Sequence, residues 1–370
     1  MKVFSPRLGH VLGIILLAAL VAGASTRYPR PRRDFNNFVQ NIQYRRMGAQ
    51  PGDPRIVLAA IDDESLSRIG EFPWRRSVSA RLIDSLTRLG ARTIAFDVMF
   101  LDPSEHPADD KALAAAIQRS GRVILAGAFN VKEDGRNEER HDPLPLFAHA
   151  AAGVGNVSIA GSLEPDGSIR SLATRLVSAG HPDAFTIGVT AVAHYLHQDP
   201  QQMVADLPAR VRLNYRGTGS VRMIPVSHIL DGQLTSAETA SLRDALVFVG
   251  SVSPKAFDLH PSPFGGQIPG PLVQLTLADN ILNHRWLATM PPAADFIACT
   301  APAALVLVWC ATLSSPTYFA GVAGVALAYF LASWLAFAYG LWLRPTGMLT
   351  SFLAALVWTA AARKHLTRGK

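Results

Sequence analysis

The stretch from Arg55 to Gly127 limits the folds open to this chain more than any other. Two strand-like apolar runs of six, residues 56–61 and 93–98, are each followed by a helical pattern (77–89 and 108–119), and a third strand follows at 123–127. Short apolar runs alternating with helices mark successive βαβ units, which pair as parallel neighbours through right-handed crossovers. The expected fold class is therefore α/β, with a mostly parallel sheet. Residues 211–215 and 246–250 read as further strands. Asp183 is placed to cap a helix running to about His197, and a last helix covers 271–284. Residues 153–159 and 171–177 flank the turn sequence Pro165-Asp166-Gly167-Ser168, which predicts an added antiparallel hairpin. The charged, aperiodic run 132–141 reads as an exposed loop.

Hydrophobic residues make up 49% of the chain, high for a water-soluble α/β protein, and the surplus lies at the two ends. Residues 8–24, 292–313, 318–343 and 346–362 are apolar runs long enough to span a bilayer. The expected layout is four transmembrane helices around one polar block: an N-terminal anchor (1–26), an outer domain (27–290), a three-helix region (291–363) and a short tail (364–370). Lys2 and Arg7 before the first span, and Arg363, Lys364, Arg368 and Lys370 after the last, place both termini in the cytoplasm. That makes a multi-pass protein of the inner (cytoplasmic) membrane with a periplasmic or extracellular domain. Arg27, Arg30, Arg32 and Arg33 lie on the translocated side against this rule, but a large folded domain translocates largely regardless of its charge. Ala22-Gly23-Ala24 also fits a signal cleavage pattern; an uncleaved anchor is preferred. Phe35, Phe38, Val39 and Ile42 share one face of a short helix linking membrane to sheet.

The net charge of +7 accompanies no zinc knuckle, ribonucleoprotein pattern or recognition helix, and the arginine cluster abuts a span. Anionic lipid, not nucleic acid, is the expected partner. Both cysteines, Cys299 and Cys310, fall in the second span, so the outer domain has neither a disulfide nor a thiolate metal site. There is no phosphate-binding glycine loop, Gly-x-Ser-x-Gly elbow or kinase set, so no enzyme and no resident cofactor are expected.

Several motifs occur in a telling order: Ile-Asp-Asp-Glu-Ser-Leu at 61–66, Phe-Pro-Trp-Arg-Arg at 72–76, Gly-Ala-Arg-Thr-Ile-Ala-Phe-Asp at 90–97 and Asp-Asp-Lys-Ala-Leu-Ala at 109–114. They are followed by Pro165-Asp166-Gly167 with Arg170 close behind, Val249-Gly250-Ser251 with Asp258 after it, and Pro269-Gly270 opening the last helix. Over roughly residues 35–290 the chain resembles the type-two CHASE domain, one of the cyclase- and histidine-kinase-associated sensory extracellular domains. Three spans after the domain fit the layout of that family. The chain departs from the family at Ser262-Pro263, where Thr-Pro is usual, and near Gln274-Leu275, where a His-Ala pair is common. Such receptors usually continue into a cytoplasmic cyclase, kinase or diguanylate cyclase, whereas here only about eight residues, 363–370, follow the last span. The resemblance therefore implies a sensor of a ligand or envelope stimulus that signals laterally to a separate membrane or cytoplasmic effector.

Asp62, Asp97 and the loop holding Asp258 fall at or beyond the carboxyl ends of strands, where open parallel sheets bind ligands. Three carboxylates together would hold a basic ligand or a divalent cation, and a metal-dependent hydrolase is a rival reading that needs all three within about 5 Å of one metal. The plainer alternative is that Asp62 or Asp63 caps the helix beginning at Glu64 and that Asp97 pairs with Arg75 or Arg170. Trp74-Arg75 reads either as a stacked anion clamp or, by preference, as a packed loop whose arginine answers Asp62 or Asp97; Arg170 has the same two readings. His194 and His197 lack further zinc ligands and read as structural. Ala320, Gly324, Ala328, Ala332, Ala336 and Gly340 recur at every fourth position of the third span. Small residues on that spacing let helices approach closely, either within the chain or, on the sharper reading, in a homodimer. A structural or assembly protein without a ligand is the remaining alternative, and it expects a filled sheet edge where a sensor wants a pocket.

Overall fold

The computed structural model describes residues 29–131, 137–176, 184–217, 219–256, 258–312, 315–346, 348–349, 352–353 and 355–357. The first predicted span with its cleavage pattern, Arg27, the cap at Asp183, and the basic tail from Arg363 lie outside the described residues. The chain divides into two compact units: Gly48–Trp286, and Met1–Met47 together with Leu287–Lys370.

The Gly48–Trp286 unit is built around β1 (Ile56–Ile61), which is buried along its whole length. Its unbroken apolar run reflects a strand covered on both faces. The chain continues through α1 (Asp63–Ile69), α2 (Arg76–Arg88), β2 (Thr93–Met99), α3 (Pro107–Ser120) and β3 (Val123–Val131). β4 (Asn137–His141) and β5 (Gly153–Asn156) follow, then α4 (Ile187–Tyr195), β6 (Arg222–Pro225), α5 (Val226–Asp231) and β7 (Leu246–Ser251). The sheet runs β6-β1-β7-β2-β3, all parallel, with β4 antiparallel and β5 parallel on β3. One face carries Val57, Ala59, Ile61, Phe96 and Val249 onto Leu82, Ile83 and Leu86 of α2 and Leu113 and Ile117 of α3. The other is covered by α4 and by α6 (Gly270–Leu282), which follows an antiparallel hairpin of β8 (Leu259–Pro261) and β9 (Gln267–Pro269).

Two sequence expectations need correction. Residues 153–159 and 171–177 do not form a hairpin with each other: β5 joins the main sheet, and Ser171–Ala173 pairs antiparallel with Arg210–Arg212. The Pro165 turn does form, closed by Gly167 N donating to Glu164 O (2.8 Å) and by a single bridge between Leu163 and Ile169. A tight turn fixes only its own neighbours; longer-range partners decide where the flanking segments pair. Of the stretch read as a loop, Asn137–His141 is instead strand β4, paired with β3.

The unit of residues 1–47 and 287–370 inverts the chemistry of a water-soluble body. In the helix Pro29–Met47 the apolar Phe35, Phe38 and Ile42 are exposed, whereas Asn36, Asn37, Gln40 and Gln43 are buried. Gln43 Nε2 donates to Ser333 O and Oγ (3.4 and 3.3 Å), and Thr346 N and Oγ1 donate to Asn36 Oδ1 (3.2 and 2.9 Å). Tyr44 meets Phe337 edge-on at 5.0 Å. The helix Ser315–Ala338 buries Tyr318, Val322, Ser333 and Phe337 and exposes Leu327, Phe330, Leu331 and Leu335. Its stretch Thr317–Ala338 is long and apolar enough to cross a bilayer, and only 11% of it is buried.

Of the small-residue row, Ala320, Gly324, Ala328 and Ala332 are exposed and Ala336 is half-buried. Gly340 lies beyond the helix end in the left-handed conformation (φ +80°), so it does not extend the row. The packing face within the chain is carried by larger and polar side chains instead, which offer contacts and hydrogen bonds that alanine does not. The preceding helix, Pro292–Thr312, runs 21 residues and contains Pro302. The side chains of Cys299 and Cys310 lie outside the described residues.

Candidate functional site

At the carboxyl edge of the sheet most of the expected site residues hold the fold together. Asp62 accepts from Ser65 N (2.8 Å) as the N-cap of α1. Its neighbour Asp63 accepts from Ser253 Oγ (2.6 Å). Trp74 donates to Gly70 O (2.8 Å) and stands edge-on to Phe72, packing down its loop. Arg75 pairs with Asp109 at 2.9 Å, not with Asp62 or Asp97. Asp109 opens α3, whose N-terminal dipole favours a carboxylate, and the Arg75 hydrogen bond holds its pKa below the usual range. Arg170 is fully buried and makes a two-pronged contact with Asp166 (3.0 and 2.7 Å) and a third with Glu164 (3.0 Å). It ties the Pro165 turn from beneath. Burial works against the Asp166 carboxylate, but the Arg170 bonds outweigh it and hold its pKa below the usual range.

Asp97 and Asp258 do come together. Burial, and then the Asp258 charge, push the Asp97 carboxyl up to about 7. Asp258 receives His260 Nε2 at 3.1 Å and stands at the N-terminus of α6, where Gly270 N donates to its carbonyl (3.1 Å). A Cβ on Gly270 would overlap the Asp258 carboxylate, and one on Gly250 would overlap Pro271. These two glycines let α6 start hard against β7. Among the described residues no three histidine, cysteine or acidic side chains group as cation ligands, so Asp62 does not complete a donor set with this pair. His194 Nδ1 is bonded to Thr93 Oγ1 at 2.8 Å.

A different place offers room for a ligand. A cavity of about 340 Å³ is enclosed by the start of β1, residues 215–217 and 219–223, the β8–β9 hairpin and α6. Ile56, Val252, Phe264, Ile268, Leu272 and Leu275 make its walls largely apolar, and Asp53, Arg216, Thr276 and Asp279 supply its polar points. A buried network braces it. Asp53 N donates to Asp279 Oδ1 (3.1 Å), Arg55 clamps the Asp53 carboxylate (2.6 Å), and Arg285 does the same for Asp279. Asn280 exchanges two hydrogen bonds with the Asn214 backbone (2.7 and 3.2 Å), and Asn214 Nδ2 reaches Arg285 O (2.8 Å). Burial opposes ionisation of Asp53, but the Arg55 hydrogen bonds prevail and bring its pKa down to about 2. Arg216 is the odd member: burial, then the Arg285 charge, lower its pKa, and the attraction of Asp279 only partly offsets them.

Sequence reasoning missed this cavity. One signal was present: Asp279-Asn280 interrupts the otherwise apolar run of the last helix, and a polar pair inside such a helix needs partners. With the geometry in hand, the comparison with known proteins is decisive: a family model, the CHASE2 domain, matches residues 14–315. The chain belongs to the CHASE2 family. No curated protein and no solved structure matches it significantly. The CHASE2 match takes in the whole Gly48–Trp286 unit, and with it every residue of the cavity and of the Asp97–Asp258 pair. CHASE2 is a sensory domain family, which is consistent with a sensor role for this protein.

Proposed function

We propose that this CHASE2 protein is a membrane-anchored, non-enzymatic sensor whose Gly48–Trp286 unit binds a small ligand in the 340 Å³ cavity. On this reading it passes occupancy through its spans to a separate effector, such as a cyclase or kinase. The carrying observation is that α6 both walls the cavity and holds Asp279 against the Asp53 backbone. The chain leaves the unit at Met47/Gly48 and at Trp286/Leu287, within a few residues of Asp53 and of Arg285. A ligand that shifts α6 acts on both covalent exits at once, and it must favour one arrangement over the other to signal at all. A docking protein without a ligand expects that interior to be filled.

The four-span layout, with the domain periplasmic and both termini cytoplasmic, is part of the same reading. It is supported by the exposed apolar face of Thr317–Ala338 and by the buried polar residues behind it. The exposed row of Ala320, Gly324, Ala328 and Ala332 is then the surface offered to a second copy. The test is a thermal-shift screen of metabolites on the full chain in detergent, run beside Thr276→Phe, which fills the cavity. Compounds that stabilise the parent and not the variant are expected. If every stabilising compound acts on both alike, the cavity is not the sensing site.

A further inference from the structure

One guanidinium in the cavity wall, that of Arg216, has a buried N–H with no acceptor. Arg55 is matched by Asp53 and Arg285 by Asp279. Arg216 is held in the wall by Gln50 N donating to its carbonyl (2.6 Å), and Gly217 after it turns in the left-handed region (φ +89°), where a Cβ would run into Ala49. Its Nε is shut off from solvent without a hydrogen-bond partner, and among the described residues its guanidinium has no ion pair. Counting the two arginines that clamp the acids from outside the lining, three guanidiniums stand against two carboxylates, which leaves one net positive charge. A buried guanidinium N–H left without an acceptor is costly to fold around, and perturbed charged groups in a cavity concentrate where a ligand binds. Besides Arg216 and the braced acids, the charged groups of the wall, the lining is largely apolar, with Ser220, Ser262, Gln267 and Thr276 as neutral polar residues.

From this placement we infer that the cavity takes a small amphipathic monocarboxylate, its carboxylate on the Nε edge of Arg216 and its hydrocarbon body along Phe264, Ile268, Leu272 and Leu275. The inference rests on the ligand-binding reading above and deepens it. The Nε–Nη edge of a guanidinium is a planar fork that matches a carboxylate with two parallel hydrogen bonds. A single net charge calls for a monoanion: a dianion would reverse the imbalance, and an amine would add a fourth cation. The volume is at the small end of the range for ligand pockets, about 300–1,000 Å³.

The test uses the full chain in lipid nanodiscs, with octanoate, octanol and octylamine as probes, and hydrogen exchange of segments 219–223 and 267–279 as the readout. Octanoate is expected to protect both segments at concentrations about ten- to a hundredfold lower than octanol. Arg216→Gln should abolish that preference, and Arg216→Lys, which keeps the charge and loses the fork, should keep part of it. Thr276→Phe, which leaves Arg216 untouched, should abolish protection by every probe. Octanol or octylamine protecting as well as octanoate overturns the anion assignment and leaves the cavity standing as a ligand site. Unchanged octanoate protection in Arg216→Gln also overturns it. No protection by any probe sinks this inference together with the ligand-binding reading.

Discussion

At the scale of single residues, two carboxylates give this domain opposite responses to pH. Asp97 has its pKa raised to about 7 by burial and by Asp258, against about 3.9 in an unfolded chain. Between those values the folded protein keeps a proton that the unfolded chain has lost, so stability falls as pH rises from about 4 to 7 and is flat above. Asp97→Asn removes that slope: it should be near neutral at pH 4.5 and stabilising by on the order of 3 kcal/mol at pH 8, measured as paired melting curves across pH. A constant difference at all pH values would place the Asp97 titration elsewhere. Asp53, brought down to about 2 by Arg55 in the face of burial, works the other way. Its contribution is present above pH 4 and is lost as pH falls toward 2. Arg170 is a further residue-scale case. It lies fully buried between Glu164 and a half-exposed Asp166, and Arg170→Ala should cost about 3 kcal/mol in a urea titration, since it removes a packed stem and breaks both ion pairs.

Among the elements, the junction of β7 with α6 is the most tightly specified. Gly270 lies so close to Asp258 that any Cβ occupies the carboxylate's place. Gly270→Ala should therefore destabilise by about 1–3 kcal/mol. Asp258→Ala in the same chain should recover most of the loss, because it removes the group that is struck; a double-mutant cycle measures the coupling, and simple additivity would contradict the assigned contact. The order of elements around this junction was legible in the sequence. β1 at 56–61 and β7 at 246–251 are unbroken apolar runs, and α2 and α3 begin and end within a residue or two of their apolar periodicity. The pairing of Gly153–Asn156 was not legible, because partner choice is set by residues far along the chain: Gly153–Asn156 lies beside Ile124–Gly127, not beside the turn that follows it. The cavity was hidden for a similar reason. Asp53 and Arg216 are unremarkable in their own windows, and even the Asp279-Asn280 pair, polar within an apolar helix, acquires meaning only when the start of β1, the segment after Asn214 and α6 close on one space. The residues that did stand out, Asp62, Trp74, Arg75 and Arg170, stood out because caps, packed loops and buried ion pairs also demand particular side chains.

For the whole molecule, the sign of a substitution tells which solvent surrounds the second unit. The Gly48–Trp286 unit buries its apolar residues around the sheet, as a body in water must. The unit of residues 1–47 and 287–370 does the reverse, burying Asn36, Gln40 and Gln43 and exposing Phe330, Leu331 and Leu335. In hydrocarbon, apolar side chains gain nothing by leaving the surface, and polar ones join helices by hydrogen bonds that have no water to compete with them. Leu331 is exposed near the centre of the Thr317–Ala338 helix, so Leu331→Arg should oppose membrane insertion by about 3 kcal/mol. Its readout is a reduced fraction of the chain retained in carbonate-washed membranes. In water the same change on an exposed position would cost nothing. Asn36→Leu gives the complementary reading: it deletes the acceptor of both Thr346 hydrogen bonds and should weaken the helix pairing by about 1 kcal/mol in a denaturing-detergent titration. Around a lipid-embedded unit both substitutions do harm, one by failing to enter the bilayer and the other by loosening what has entered. A Leu331→Arg chain that stays in washed membranes as fully as its parent would place that helix face in water.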